Sequence, residues 1–221
     1  NDNAEVSTPF SLINKIINKT DNEIWNKNNK FLDFCCGKGF IILSIFNKLY
    51  HSINISNNFD KCKYIIENCI YFADINEINI FKTITLLHYQ AKLLTDINYS
   101  YNYNYYIGDS FNLDLKQKWN IDKIDIIFVN PPFENKIKRN KTPHKLWIDF
   151  TKKTFNDWLI TDGTLIQISP SSFSSPSSKV LNILKEKYTK HIFFNEEKYF
   201  PDINSSISWY IIQNTNIYNL T

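Results

Sequence analysis

The sequence lacks any apolar run of the roughly 18 residues that a membrane-spanning helix needs. Its first ten residues, NDNAEVSTPF, lack the cationic and then apolar pattern of a secretory signal. The four cysteines, Cys35, Cys36, Cys62 and Cys69, have no CxxC spacing and no nearby histidine that would complete a metal set. We therefore expect a cytoplasmic protein with reduced thiols, no metal site and no membrane span.

Arginine is also scarce, since Arg139 is the single one in the chain. The net charge of +3 is too small to indicate nucleic-acid binding by itself, although it does not oppose it. In contrast, 43% hydrophobic and 16% aromatic residues in a chain of 221 are ample for a core. With no internal repeat and no linker composition, residues 1–221 are expected to form one domain.

Apolar runs typical of buried strands alternate along the chain with segments of helical spacing. Strands are predicted at 31–35, 69–73, 101–107, 124–129, 164–169, 191–194 and 206–213. Helices are predicted at 40–49, 76–94, 146–159 and 179–188. This alternation predicts an α/β fold: a doubly wound, mostly parallel, seven-stranded, Rossmann-like sheet with an antiparallel C-terminal hairpin.

In such a sheet ligands bind at the carboxyl ends of the strands, so the residues after each strand are candidates for a site. The first strand leads into Asp33-Phe34-Cys35-Cys36-Gly37-Lys38-Gly39. Glycines there allow a tight turn and a close ligand approach, and the next helix supplies free N–H groups. The alternative is an ordinary strand-to-helix turn. The absence of a third glycine argues against a dinucleotide fingerprint.

Acidic residues follow the second and third strands. Asp74 can accept hydrogen bonds from both hydroxyls of a ribose; the alternative is that Asp74 or Asn76 caps the next helix. Asp109, within Gly108-Asp109-Ser110-Phe111, can accept from the exocyclic amine of an adenine, and Phe111 can pack on its ring. The alternative for this stretch is a plain turn.

The sharpest signal is Asn130-Pro131-Pro132-Phe133 after the fourth strand. Two prolines hold the backbone rigid, so the Asn130 amide oxygen and the Pro131 carbonyl can both accept from one planar amine. Accepting both hydrogens favours a pyramidal nitrogen, whose lone pair can attack an electrophilic methyl group. Phe133 would hold the ring by stacking. A rigid polar turn after a buried strand is the alternative.

In their order along the chain, these motifs resemble class I S-adenosylmethionine-dependent methyltransferases. More narrowly, the chain resembles gamma-class DNA adenine-N6 methyltransferases of restriction-modification systems. Thr8-Pro9-Phe10 is similar to the motif that covers the methionine end of the cofactor, within an N-terminal segment 1–30. Tyr199-Phe200-Pro201 resembles the element whose aromatic residue stacks on the second face of a flipped adenine. The resemblance extends from residue 8 to about residue 214.

The resemblance implies S-adenosyl-L-methionine as cofactor and methyl transfer to adenine N6 in DNA as the reaction. The implied catalytic residues are Asn130, Pro131, Pro132 and Phe133, with Phe133 and Phe200 stacking on the base. The implied cofactor-binding residues are Thr8, Pro9, Phe10, Asp33, Cys35, Gly37, Gly39, Asp74, Ile75, Asp109, Ser110 and Phe111. No metal or covalent nucleophile is implied.

The expected DNA-backbone contacts are the basic residues just after the catalytic loop, Lys136, Lys138, Arg139, Lys141 and Lys145, with His144 among them. Their alternative is a solvated loop in a lysine-rich chain. The sequence departs from the family pattern in the bulky and basic residues of its glycine loop and in having no target-recognition region. A specificity subunit or another partner chain is therefore expected to supply recognition of the DNA site.

Two rival functions stay open. The first keeps the chemistry but changes the substrate to adenine N6 or guanine N2 in RNA, or to a protein glutamine. The second is a non-catalytic, methyltransferase-like subunit of a nucleic-acid-binding complex. An unaltered Asn130-Pro131-Pro132-Phe133 argues against the second.

Overall fold

The structure, a computed structural model, describes residues 7–133, 145–201 and 205–216. The described residues contain seven strands: β1 (Phe31–Asp33), β2 (Ile70–Asp74), β3 (Asn104–Ile107), β4 (Ile124–Val129), β5 (Leu159–Pro170), β6 (Lys187–Phe193) and β7 (Ile207–Asn216). They form one sheet in the order β3-β2-β1-β4-β5-β7-β6. The chain divides into two compact units, Asn1–Asn120 and Ile121–Thr221.

The first unit contributes three parallel strands. Phe31 of β1 pairs with Ile70 of β2, and Tyr71 of β2 pairs with Asn104 of β3. Every residue of β1 and β2 is buried, as expected for parallel strands that are covered on both faces. The carboxyl ends of these strands therefore lie together at one edge of the unit.

The described residues of the first unit form five α-helices: α1 (Phe10–Ile17), α2 (Phe40–Ser52), α3 (Asn58–Tyr64), α4 (Glu77–Thr95) and α5 (Leu115–Trp119). The long helix α4 begins where the Asn76 side chain accepts a hydrogen bond from the Ile78 N–H, which satisfies one of its free donors. It ends at Asp96, whose left-handed backbone (φ 55°) stops the helix.

The second unit combines parallel and antiparallel pairing. Strand β4 runs parallel to β5, and β7 pairs antiparallel with both β5 and β6. Where the structure describes this unit, it has two α-helices, α6 (Leu146–Lys153) and α7 (Lys179–Lys185). Its core includes Trp209 of β7, whose ring stacks on Phe193 of β6 with centroids 4.2 Å apart.

The predicted fold class is confirmed: the seven-stranded sheet is mostly parallel and has antiparallel C-terminal strands. The two last strands do pair with each other, but β7 also inserts between β5 and β6. No helix of the described part of the chain is long and apolar enough to cross a membrane. The expectation that residues 1–221 form one domain stays a prediction.

Candidate active site

The glycine loop follows β1 and makes a tight turn. The backbone φ angles at Gly37 (50°) and Gly39 (82°) are both positive. L-residues other than glycine rarely adopt such angles. The Cys36 N–H donates to the Ala73 carbonyl at the end of β2 (2.9 Å), which fixes the loop to the neighbouring strand. The loop therefore lies across the carboxyl ends of β1 and β2, where the sequence predicts a ligand.

Gly39 is also required by space. A Cβ atom at this position would lie 2.6 Å from Oγ1 of Thr83, in the middle of α4. Gly39, in the left-handed conformation, directly precedes α2, which begins at Phe40. The first turn of α2 thus presents its unpaired N–H groups beside the loop.

Asp33, the last residue of β1, is fully buried. Its Oδ1 accepts a hydrogen bond from the Cys35 N–H at 3.1 Å. Its Oδ2 has no hydrogen-bond partner among the described residues. Burial, and to a smaller extent the nearby charge of Asp74, raise the pKa of Asp33 to about 8. Near neutral pH the carboxyl therefore holds a proton that it can lose when a cation approaches.

Asp74, the last residue of β2, is 8% exposed and holds two loops at once. Its Oδ2 accepts from the Gly37 N–H at 2.9 Å, which ties the glycine loop to β2. Its Oδ1 accepts from the Asn76 N–H at 2.8 Å and from the Asn79 amide at 3.3 Å. Asp74 therefore helps to form both the glycine loop and the start of α4, whatever else it binds.

The turn after β3 joins the same edge. The Gly108 N–H donates to the Asp74 carbonyl at 3.0 Å, and the φ of 147° at Gly108 again suits glycine. Asp109 accepts from the Phe111 N–H at 3.0 Å through its side chain. The buried Ser110 hydroxyl donates to the Phe34 carbonyl. The predicted residues after β1, β2 and β3 therefore form one connected cluster.

The N-terminal segment contacts this cluster through an aromatic pair. The Phe10 ring, 41% exposed, lies on the Phe40 ring with centroids 4.7 Å apart. Thr8 is buried and Pro9 half-buried. Because Phe40 directly follows Gly39, the Thr8-Pro9-Phe10 motif lies next to the glycine loop. The exposed Ile75 and half-buried Phe111 follow β2 and β3.

The two cysteines of the glycine loop are poor nucleophiles. Burial, and then the Asp33 carboxylate, which is ionised above its own pKa of about 8, raise the pKa of both the Cys35 and the Cys36 thiols. No group of metal-ligating side chains occurs in the part of the chain that the structure describes. The cluster is thus an acidic and backbone-rich site that suits a ligand with a cationic group.

The Asn-Pro-Pro-Phe motif lies in the second unit, directly after β4. Asn130 and Phe133 are partly exposed, Pro131 is buried and Pro132 is exposed. The loop therefore presents a polar side chain and an aromatic ring at the carboxyl end of a strongly apolar strand. The catalytic and stacking roles assigned to these residues stay predictions.

The remaining predicted residues are Phe200 and the basic residues that follow the Asn-Pro-Pro-Phe motif. Phe200 belongs to the second unit and is 3% exposed, so its ring is almost wholly covered. A stacking role for Phe200 requires the ring to become accessible, and that role also stays a prediction. Lys145 is exposed just before α6. Lys136, Lys138, Arg139, Lys141 and His144 lie outside the described residues.

Sequence reasoning missed two residues of the cluster. Asn79 donates to Asp74 from α4 and is 4% exposed, while the fully buried Thr83 packs against Gly39. Both are polar residues on the buried face of α4, whose other buried residues, Ile80, Leu87 and Ala91, are apolar, and this pattern was the available signal.

The order and directions of the seven strands first define a fold class, that of the class I methyltransferase fold. A family model described as N-6 DNA Methylase matches residues 1–161, which is more than half of the sequence. The chain belongs to this family. A comparison of this chain with curated proteins found no match.

Solved structures of low sequence identity share the fold. The modification subunit assigned to a type I restriction enzyme of Vibrio vulnificus YJ016 superposes with a TM-score of 0.71 at 14% identity, over 97% of this chain and 46% of that one. A protein of Listeria monocytogenes described as a class I S-adenosylmethionine-dependent methyltransferase gives 0.62 at 14% identity, over 95% and 61%. The ATP-dependent type ISP restriction-modification enzyme LlaBIII, bound to DNA, gives 0.69 at 13%, over 95% and 19%. The chain thus spans less than two thirds of each of these proteins.

Proposed function

We propose that this protein is an S-adenosyl-L-methionine-dependent methyltransferase that transfers a methyl group to the N6 amine of adenine in DNA. The observation that carries the proposal is the cluster around the glycine loop, where Asp33 and Asp74 end adjacent strands of a chain from the N-6 DNA methylase family. The Asn130-Pro131-Pro132-Phe133 loop supports adenine as the substrate.

The residues of the first unit fit S-adenosylmethionine. This cofactor carries a cationic ammonium and a cationic sulfonium, and Asp33 is a buried carboxyl with an unpartnered oxygen among the described residues. Because Asp33 is covered by the glycine loop, we propose that it attracts the cations electrostatically from beneath the loop. Asp74 would accept from the ribose hydroxyls and Asp109 from the adenine amine, with Ile75 and Phe111 against the ring.

The residues of the second unit would act on the adenine amine. The Asn130 amide oxygen and the Pro131 carbonyl accept its two hydrogens, which localises the nitrogen lone pair. When bound, S-adenosylmethionine supplies an electrophilic methyl group on sulfur. Asn130 and Pro131 would hold the amine for attack on this methyl group, and the amine nitrogen would give up its extra proton to water after the transfer. The residues therefore contribute orientation and charge stabilisation rather than a strong base.

DNA as substrate requires that the target base leave the stack. Phe133, which is partly exposed, would stack on the extruded ring and replace part of the lost stacking, at about 1 to 3 kcal/mol per base. The similarity to LlaBIII bound to DNA supports this substrate. A specificity subunit or a further region of a longer protein would supply sequence recognition, in keeping with the greater length of the similar modification subunit.

Substitution Asn130→Ala tests the proposal. We expect methyl transfer to DNA to be lost, while S-adenosylmethionine affinity and the thermal midpoint stay close to wild type, because Asn130 acts on the amine. Asn54→Ala, at an exposed position of the first unit, is the matched control and should keep full activity. An Asn130→Ala variant that methylates DNA at nearly the wild-type rate would contradict the proposed role.

A further inference from the structure

A groove in the second unit, lined by polar side chains together with Trp147 and Ile148, contains none of the residues assigned to catalysis or cofactor binding. It has a volume of about 460 Å³ and lies between helix α6, the serine-rich turn after β5 and the start of α7. Its lining contains three lysines and four serines: Lys145, Lys152, Lys179, Ser172, Ser175, Ser177 and Ser178. We refer to these residues as the serine–lysine groove.

The charge of this groove is predominantly positive. Asp149 also lines it and lies 3.7 Å from the Lys152 ammonium, so one carboxylate faces three lysines. Lys145 and Lys179 are exposed and therefore keep their charge available to a ligand. The groove thus attracts anions.

The serines add neutral hydrogen-bond donors. Ser172 and Ser177 are exposed, and the Ser177 hydroxyl is 3.2 Å from that of Ser175. Hydroxyls and ammonium groups are the side-chain donors that commonly bind phosphate oxygens along a nucleic-acid backbone. Short serine side chains also leave room for a backbone to approach closely. The composition therefore matches a row of phosphates.

The position of the groove indicates which phosphates of a nucleic acid it would bind. Strands β4 and β5 are parallel neighbours, with Val129 opposite Gln167, so the residues that follow them leave the same edge of the sheet. Asn130-Pro131-Pro132-Phe133 follows β4, and the serine-rich turn follows β5. A base held at the first loop stays attached to its own backbone, which must pass close by.

We propose that the serine–lysine groove binds the DNA backbone phosphates that flank the extruded adenine. This inference rests on the proposed function, because it takes DNA as the substrate. It assigns to Lys152, Lys179 and the serine-rich turn a role in positioning the strand, in addition to the contact expected from Lys145.

The test measures binding of a short fluorescent DNA duplex as a function of salt concentration. The Lys152→Gln/Lys179→Gln variant should bind more weakly, and the slope of log affinity against log salt should decrease by about 0.9 for each phosphate that the variant no longer neutralises. The Ser172→Ala/Ser177→Ala variant should bind several-fold more weakly with an unchanged slope, because hydroxyls release no counterions. The matched controls are Lys82→Gln/Lys92→Gln and Ser52→Ala/Ser56→Ala, all exposed positions of the first unit.

Three results would overturn the inference: no DNA binding by the wild-type protein, a wild-type slope in a folded lysine variant, or an effect seen with an RNA duplex and not with DNA. Methyl transfer and S-adenosylmethionine binding are measured separately on the same proteins. Lysine-dependent DNA binding without any methyl transfer would leave the groove in place and refute the proposed function. Methyl transfer to DNA, combined with a salt slope that the lysine substitutions do not change, would support the proposed function and refute the role of the groove.

Discussion

Asp33→Asn is the most informative substitution at the proposed cofactor site, because Asp33 is a fully buried carboxyl with a pKa raised to about 8. The asparagine can still accept the Cys35 N–H through its own side-chain oxygen, so the hydrogen bond at 3.1 Å is preserved. What the substitution removes is the ability to ionise. Its effects should therefore depend on pH.

The direction in which stability changes with pH follows from the protonation of Asp33 in the folded and unfolded states. The unfolded carboxyl ionises near its ordinary pKa of 3.8, whereas the folded one retains its proton up to about pH 8. Between these values the folded state binds more protons, so its stability falls as pH rises, by up to about 1.4 kcal/mol per pH unit. Below this window both states are protonated, and above it both are ionised. Asparagine has no such dependence, so the variant should gain stability relative to wild type as pH rises.

Urea unfolding of both proteins across this pH window measures the difference in unfolding free energy. Asp60→Asn, at an exposed position, serves as the matched control. If the difference in unfolding free energy between Asp33→Asn and wild type does not change with pH, the claim that Asp33 is buried and protonated is refuted.

Cofactor affinity gives a second measurement on the same variant. If ionised Asp33 attracts the cationic cofactor, wild-type affinity should fall as pH drops below about 8, by up to tenfold per pH unit. The Asp33→Asn variant should bind more weakly near pH 8 and lose this dependence. Equal affinities in the two proteins at every pH would show that the carboxyl does not act on the cofactor.

Two further substitutions test the glycine loop. Asp74→Ala removes the acceptor of the Gly37 N–H and should weaken S-adenosylmethionine binding by about 1 to 3 kcal/mol in calorimetry. The thermal midpoint should also fall, because the glycine loop loses its hydrogen bond to β2. An unchanged binding affinity together with an unchanged thermal midpoint would contradict the role of Asp74. Gly39→Ala places a Cβ atom 2.6 Å from Oγ1 of Thr83 at φ 82°, so unfolding free energy should fall by about 1 kcal/mol or more. A variant as stable as wild type would show that α2 and α4 can separate without cost.

Strand β4 and the residues after it were predictable because their signals are local. An almost continuous apolar run ends at Val129, and Asn130-Pro131-Pro132 then stops the strand. The observed strand has the predicted bounds, Ile124–Val129. Glycine and acidic residues after β1 and β2 were predictable for the same reason.

Other parts depend on tertiary context. Helices α3 and α5 have seven and five residues, too few for a periodic pattern to stand out. The predicted helix 146–159 is α-helical only to Lys153 and continues as the π-helical segment Thr154–Trp158 up to β5 at Leu159. The insertion of β7 between β5 and β6 depends on strand pairing, which chain order does not reveal.

In the candidate site, too, some features were predictable from local sequence signals and others depend on tertiary context. The positions of Asp33 and Asp74 follow from strand ends, but the sequence did not show that Oδ2 of Asp33 lacks a partner among the described residues. It also did not show that Asn79 and Gly37 share the Asp74 carboxylate. Such hydrogen bonds depend on the approach of α4 to the glycine loop.

The central claim is methyl transfer to adenine N6 in DNA, and product analysis tests it most directly. Wild-type protein is incubated with methyl-labelled S-adenosylmethionine and, in parallel, with unmethylated DNA, RNA or a protein pool. The DNA is then digested to nucleosides. We predict label in N6-methyladenine from DNA and its absence with Asn130→Ala. Label in RNA or protein with none in DNA, or label on another base, would contradict the claim.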